Sequence, residues 1–119
     1  MDKYEFDILV LKRYTAKLQN AQQRGIEFKL TLTSVRNIMR AKRCYYTGVH
    51  LTLPRPGKAL RGTDVTIERV DSRKGYVTGN VVAVCHAANN VKSFFEGDGC
   101  LSMEHALKMF AKVNKRLKG

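Results

Sequence analysis

A chain of 119 residues has room for one domain and one modest core. Its apolar and charged fractions, 44% and 27%, are ordinary for a soluble globular protein, whereas a formal net charge of +12 and a pI of 10.0 are not. A surplus of that size repels itself in the folded state and calls for an anionic partner, nucleic acid first, because Lys and Arg that neutralise phosphates release counterions. A membrane surface is the rival partner but is not expected, since no stretch approaches transmembrane length, no n-region with an apolar h-region opens the chain, and the basic residues do not gather in one block.

Residues 2–24 predict an amphipathic helix. Phe6, Leu9, Val10, Tyr14, Leu18 and Ala21 recur at spacings of three and four, and Gly25 suits the position just past its end. An extended piece from Ile26 to Leu32 precedes a second helix at about 34–43, capped by Thr33 or Ser34, with Val35, Ile38 and Met39 as its apolar face. On that helix Arg36, Arg40 and Arg43 would project from one side together. Cys44-Tyr45-Tyr46-Thr47-Gly48 reads as a turn, and residues 53–63, which hold both prolines and two glycines, read as a loop. From Ser34 to Gly62 there are seven basic residues, Arg36, Arg40, Lys42, Arg43, Arg55, Lys58 and Arg61, and no acidic one. A merely solvated face is the plain alternative, but an unbroken positive stretch beside tyrosines suits a phosphate backbone better.

Asp64 to Val70 predicts a strand, and Asp71-Ser72-Arg73-Lys74-Gly75 a turn. Tyr76-Val77 and Val81 to Val84 predict a second extended segment, interrupted by Gly79-Asn80. Helical spacing resumes at Cys85 and runs to about Phe94, with a break at Glu96-Gly97-Asp98-Gly99. A last helix is expected from Ser102 to about Lys118, with Leu107, Phe110, Val113 and Leu117 on one side. Lys108, Lys112, Lys115, Arg116 and Lys118 make its end basic, which suits the helix dipole. No repeat, low-complexity tract or domain boundary interrupts the chain, so residues 1–119 read as a single α+β domain. The three cysteines, Cys44, Cys85 and Cys100, are an odd number and widely spaced. Without a secretory signal they read as reduced thiols of a cytosolic protein. With no C-x-x-C pair, no structural zinc is expected, and Cys44 and Cys85 are expected to be buried as small hydrophobes.

Two stretches carry a resemblance. One is Thr66-Ile67-Glu68-Arg69-Val70-Asp71-Ser72-Arg73-Lys74-Gly75-Tyr76, continuing through Gly79-Asn80-Val81-Val82 to Cys85, Asn89 and Lys92; the other is Cys44 to Gly48. Together, in this order and on a strand–turn–strand–helix pattern, they resemble a branch of the HNH, or ββα-metal, endonucleases that is often phage-encoded. The resemblance covers residues 44–92, under half of the chain. It implies a ββα-metal core flanked by helices at both ends, with one divalent cation, Mg²⁺ or Mn²⁺, beside the scissile phosphate.

Such chemistry needs a hard oxygen ligand for the cation, a base to activate water, and a rigid residue to hold both in place. Glu68 stands where the family usually has an aspartate ligand; a solvated or salt-bridged glutamate is the alternative. Arg69 occupies the place of the general-base histidine, and a guanidinium cannot take a proton from water at neutral pH. The reading for Arg69 is therefore a phosphate clamp. Asn80 matches the family's middle asparagine, which works by bridging the loop, and is equally suited to plain turn chemistry. Asn89 matches the helix-borne residue that completes the metal site. His86 precedes Asn89 by three and could serve as base or ligand, or be structural. His50 is a weaker candidate, and His105 reads as a surface residue. Lys74 and Lys92 match basic family positions and are expected to contact phosphate, while Tyr76 is expected to pack the loop. The expected function is metal-dependent cleavage or nicking of DNA in the cytoplasm, of a bacterial host if phage-encoded. The alternative is a catalytically impaired module of the same fold that binds nucleic acid or a host protein. RNA stays open as the ligand, since no base-reading motif is visible.

Overall fold

Asp2 starts the first helix: its carboxylate accepts the N–H of Glu5 at 2.9 Å, and α1 runs over Lys3–Gln23 in the computed structural model, which describes residues 1–96 and 101–118. The helix ends in a Schellman turn. Gly25 takes φ 65°, Ile26 N–H reaches the Ala21 carbonyl at 2.8 Å, and Gly25 N–H reaches that of Gln22 at 3.3 Å. Val10 and Ala21 are buried, with Phe6, Leu9 and Tyr14 packed beside them.

The second helix departs from the sequence expectation at both ends. Helix α2 spans Leu32–Met39 and is capped by Thr31, whose hydroxyl accepts the Ser34 N–H while the Ser34 hydroxyl accepts the Thr31 N–H. This reciprocal box outcompetes the Thr33 or Ser34 cap because it satisfies two orphan donors at once and still buries Val35 and Met39. After Met39 the chain leaves the helix. Leu51 N–H bonds the Lys42 carbonyl and Cys44 N–H the Val49 carbonyl, both at 2.8 Å, so residues 42–51 form a hairpin with Arg43 opposite His50. Arg36, Arg40 and Arg43 therefore do not share a helix face: only Arg36 lies on α2, and Arg40 is its C-cap.

The predicted turn at Cys44 to Gly48 is present, with Gly48 at φ 73° and its N–H on the Cys44 carbonyl. Tyr45 N–H bonds the Ala83 carbonyl at 2.9 Å and ties this turn to the second strand. Strands β1 (Val65–Arg69) and β2 (Val81–Cys85) form a two-stranded antiparallel sheet in which Thr66 faces Val84 and Glu68 faces Val82. Alternation puts Thr66 and Glu68 on one face and Val65, Ile67 and Arg69 on the other. Val65, Ile67, Ala83, Val84 and Cys85 join Val35, Met39 and Leu51 in the core. Burying each of the branched chains contributes about 1.5–3 kcal/mol.

β2 runs directly into helix α3 (His86–Glu96). With no side-chain cap, the first helical donors use loop carbonyls instead: His86 N–H bonds Asp64 and Ala87 N–H bonds Gly62, each at 2.9 Å. By density of contacts the chain divides into two compact units, 1–89 and 90–119. The second holds the end of α3 and helix α4 (Met103–Leu117), capped by Ser102 with His105, and Phe95 meets Phe110 edge to face at 5.9 Å. Of the predicted break at Glu96-Gly97-Asp98-Gly99, Glu96 still belongs to α3, and residues 97–99, like Cys100, lie outside the described residues. The architecture is α+β, and no helix among the described residues is long and apolar enough to cross a membrane.

Candidate functional site

The loop between the strands is built around Asn80. Its Oδ1 accepts the Asp71 N–H at 2.9 Å, and its Nδ2 donates to the carbonyls of Asp71 (3.1 Å) and Gly75 (2.9 Å). The side chain thus bridges both ends of the turn from a position only 7% exposed. Turn chemistry and loop bridging, the two readings of Asn80, coincide here.

Arg69 clamps the same turn from β1. Its NH1 group donates to the Ser72 and Lys74 carbonyls, both at 2.9 Å, and the guanidinium lies over the Tyr76 ring at 5.2 Å. Arg69 is 8% exposed, and with its NH1 group given to two carbonyls it holds the loop from inside. Tyr76 packs the loop as expected: its N–H bonds the Glu27 carbonyl, its own carbonyl accepts from Lys29, and its ring meets Phe28. That bridge presses Gly75 against Glu27, where a Cβ would come within 2.5 Å of the Glu27 carbonyl oxygen. Lys74 and Arg73 are exposed on the outside of the turn. Arg73 pairs with Asp71, and hydrogen bonds from the Arg73 side chain and backbone hold the Asp71 carboxyl down at about 2.

Glu68 and Asn89 are brought to one face. Asn89 Nδ2 donates to Thr66 Oγ1 at 3.4 Å, Thr66 Oγ1 donates to the Val84 carbonyl at 2.9 Å, and Glu68 follows Thr66 by two residues on β1. Glu68 Oε1 accepts the Arg69 N–H at 2.9 Å. His86 begins α3, one turn before Asn89, and is half-buried. Among the described residues, no group of three or more His, Cys, Asp or Glu side chains is placed to hold a metal ion. The candidate hard ligands at this face are the Glu68 carboxylate and the Asn89 amide oxygen, with the Thr66 hydroxyl already bonded to Asn89 and the Val84 carbonyl. That set is too sparse for an all-protein cage, but it fits a hard cation that keeps waters and takes phosphate oxygens as its remaining ligands.

Two residues to which the sequence assigns no role in the site, Lys17 and Asp64, belong to this region. Lys17, on α1, lies near Glu68 and has its Nζ 5.8 Å from the Tyr76 ring centroid. Burial lowers the Lys17 pKa; the Glu68 carboxylate opposes that shift, and Arg13, Arg24 and Arg69 add to it. Asp64, fully buried, accepts from Thr52 Oγ1 (2.6 Å), Arg61 N–H (2.8 Å) and Arg61 Nε (3.1 Å) while its carbonyl starts α3. Burial alone would raise its pKa, but the bonds from Thr52 and Arg61 and the Arg61 charge prevail and lower it. Cys44 and Cys85 are buried as expected. Burial would also raise the Cys44 thiol, but hydrogen bonds from Thr47 and from the Cys85, Thr47 and Tyr46 backbone bring it down to about 7. Asp64 had one signal in the sequence, as the first acid after the acid-free run and three residues past Arg61; Lys17 had none.

The basic residues divide by what they already hold. Arg36 is paired with Asp7 at 2.9 Å, and Arg61 with Asp64 at 3.0 Å and with the Leu53 carbonyl, so both are engaged within the fold. Lys92 is paired with Glu96 in the second unit. Arg40, Lys42, Arg43, Arg55, Lys58 and Lys74 are exposed and enter no salt bridge among the described residues. These carry the positive surface of the first unit.

An uncharacterized 29.0 kDa protein from the dda-modA intergenic region of Enterobacteria phage T4 is 31% identical to the chain over 74 residues. The match covers 62% of this chain and 28% of that protein, so the chain corresponds to under a third of its relative. No protein-family model and no solved structure matches the chain.

Proposed function

We propose that the chain is a divalent-cation-dependent endonuclease of the HNH type that nicks or cleaves DNA. The observation that supports this reading is the contact of Asn89 with Thr66, two residues before Glu68 on the same face of β1, in a strand–turn–strand–helix unit whose turn is stapled by Asn80. Glu68 and the Asn89 amide oxygen would hold Mg²⁺ or Mn²⁺, which supplies positive charge against the leaving oxygen. His86 precedes Asn89 by three residues on the same helix and is the residue proposed to take the proton from water. Asn80 and Arg69 position the loop, and Lys74 on its outer side neutralises the backbone of the bound strand. The charge of +12 and the exposed cations of the first unit support a polyanionic substrate.

One observation favours a second reading, a non-catalytic module that binds DNA, RNA or a host protein. Arg69 stands where the family's base would be, and its guanidinium is engaged by the turn. The two readings part on supercoiled plasmid incubated with purified protein, with and without Mg²⁺ or Mn²⁺. Metal-dependent nicking that is lost in Glu68→Gln and reduced about 10²–10⁴-fold in His86→Ala supports the enzyme. Retained DNA binding without nicking under either metal supports the binding module.

A further inference from the structure

Helix α4 carries an apolar stripe, Met103, Leu107, Phe110, Val113 and Leu117, at helical spacings of four, three, three and four. The second unit covers little of it. Phe110 meets Phe95, yet the five side chains stay between 45% and 81% exposed, and Ala106 is the buried residue of the helix. At about 150–250 Å² for a large apolar side chain, the stripe leaves roughly 500 Å² open to water. Two copies laid together would bury about twice that, roughly 1,000 Å², which is where specific interfaces begin. Lys108, Lys112 and Lys115 lie on the opposite side of the helix, at about 3.6 residues per turn, so these charges stay off the stripe.

The order of the spacings is the same read in either direction. An antiparallel copy centred on Phe110 therefore sets Met103 level with the partner's Leu117, Leu107 level with the partner's Val113, and Phe110 level with the partner's Phe110. Charge decides between the two directions. Glu104 stands in the first turn, whereas Lys115 and Arg116 stand in the last, followed by Lys118 at the cap. Parallel helices would set basic end against basic end. Antiparallel helices bring each Glu104 to the basic last turn of the other copy and oppose the two helix dipoles. An unrelated helix could cover the apolar stripe, but the stripe and its charged ends are complementary to themselves, as an isologous twofold contact requires. We infer that α4 is a self-association surface that docks antiparallel on α4 of a second copy, about a twofold axis beside Phe110. The interface needs no metal and no nucleic acid, so it is independent of the endonuclease reading.

Sedimentation equilibrium of the whole chain tests it, in about 0.3 M salt so that repulsion between chains of net charge +12 is screened. A monomer–dimer equilibrium is expected between about 1 μM and 1 mM protein. Val113→Glu combined with Leu117→Glu is expected to weaken the dimer at least about tenfold, because each copy then sets two carboxylates in the apolar contact. Both positions are exposed in the single chain, and circular dichroism checks that the variant keeps its helix content. Glu104→Lys alters no apolar side chain and so tests the direction of the helices by itself. It is expected to weaken an antiparallel dimer about fivefold, since two attractions become two repulsions, and to leave a parallel one nearly unchanged. A monomer throughout the range would mean that the stripe is covered within the chain or by another molecule, and would overturn the inference. A dimer unmoved by the glutamate pair, or by Glu104→Lys, would overturn it as well.

Discussion

Removing the Asn80 side chain tests whether the turn at residues 71–75 is held from inside. Alanine deletes three hydrogen bonds, one accepted from the Asp71 N–H and two donated to the Asp71 and Gly75 carbonyls, at a site 7% exposed. At a net of about 1 kcal/mol per bond, the cost is about 3 kcal/mol, a large part of the 5–15 kcal/mol that stabilises a typical domain. Asn80→Asp separates donor from acceptor. It keeps an oxygen for the Asp71 N–H but turns a carboxylate toward two carbonyl oxygens, so at pH 7 it is expected to cost at least as much as alanine. Only the protonated form of the introduced carboxyl can donate, so its pKa rises in the folded state above the unfolded value of about 3.9. A raised folded pKa means that the carboxyl's stabilising contribution is full below the unfolded value and is lost as pH rises through the folded one. The Asp variant should therefore gain on the Ala variant as pH falls toward 4. Urea unfolding followed by circular dichroism, with all three proteins at each pH, measures this. A cost below about 1 kcal/mol for Asn80→Ala, or an Asp variant more stable than the Ala variant at pH 7, would refute the account of the loop.

Gly75→Ala should destabilise the fold by about 1–3 kcal/mol in the same assay, because the new Cβ would lie 2.5 Å from the Glu27 carbonyl oxygen, a backbone atom that cannot turn aside. Asp64 has a folded pKa lowered from 3.8, so its contribution is present above that value and is lost as pH falls through the folded pKa. The melting temperature should fall below about pH 4, and Asp64→Asn, destabilised at pH 7, should show a shallower fall if this carboxylate is a principal cause. DNA affinity measured by fluorescence anisotropy should drop steeply with salt, and neutralising Arg55 and Lys58 together should reduce the log–log slope by about 1.8 if both contact phosphate. A slope unmoved by that pair would take residues 53–63 out of the interface.

The sequence by itself determined what local chemistry decides. The apolar spacing of α1 and Gly25 at its end, the β-branched pair of strands, and the asparagine that closes the loop between them all act within a few residues, so their signals lie side by side in the chain. Where two local solutions competed, as at the start of α2, the reciprocal Thr31–Ser34 cap prevailed over the neighbouring Thr33 and Ser34 alternatives. The charges were legible as a total but not in their partners. Arg36 is neutralised by Asp7, 29 residues earlier, Arg61 is held at the surface by the buried Asp64 carboxylate, and Arg69 is turned inward by loop carbonyls, while Arg40 and Lys42 remain exposed. Only the tertiary structure could place Lys17 near Glu68 and Asn89 beside Thr66, because helix, ribbon and hairpin come together through burial of apolar faces, which fixes no partner for a given side chain until the packing is complete.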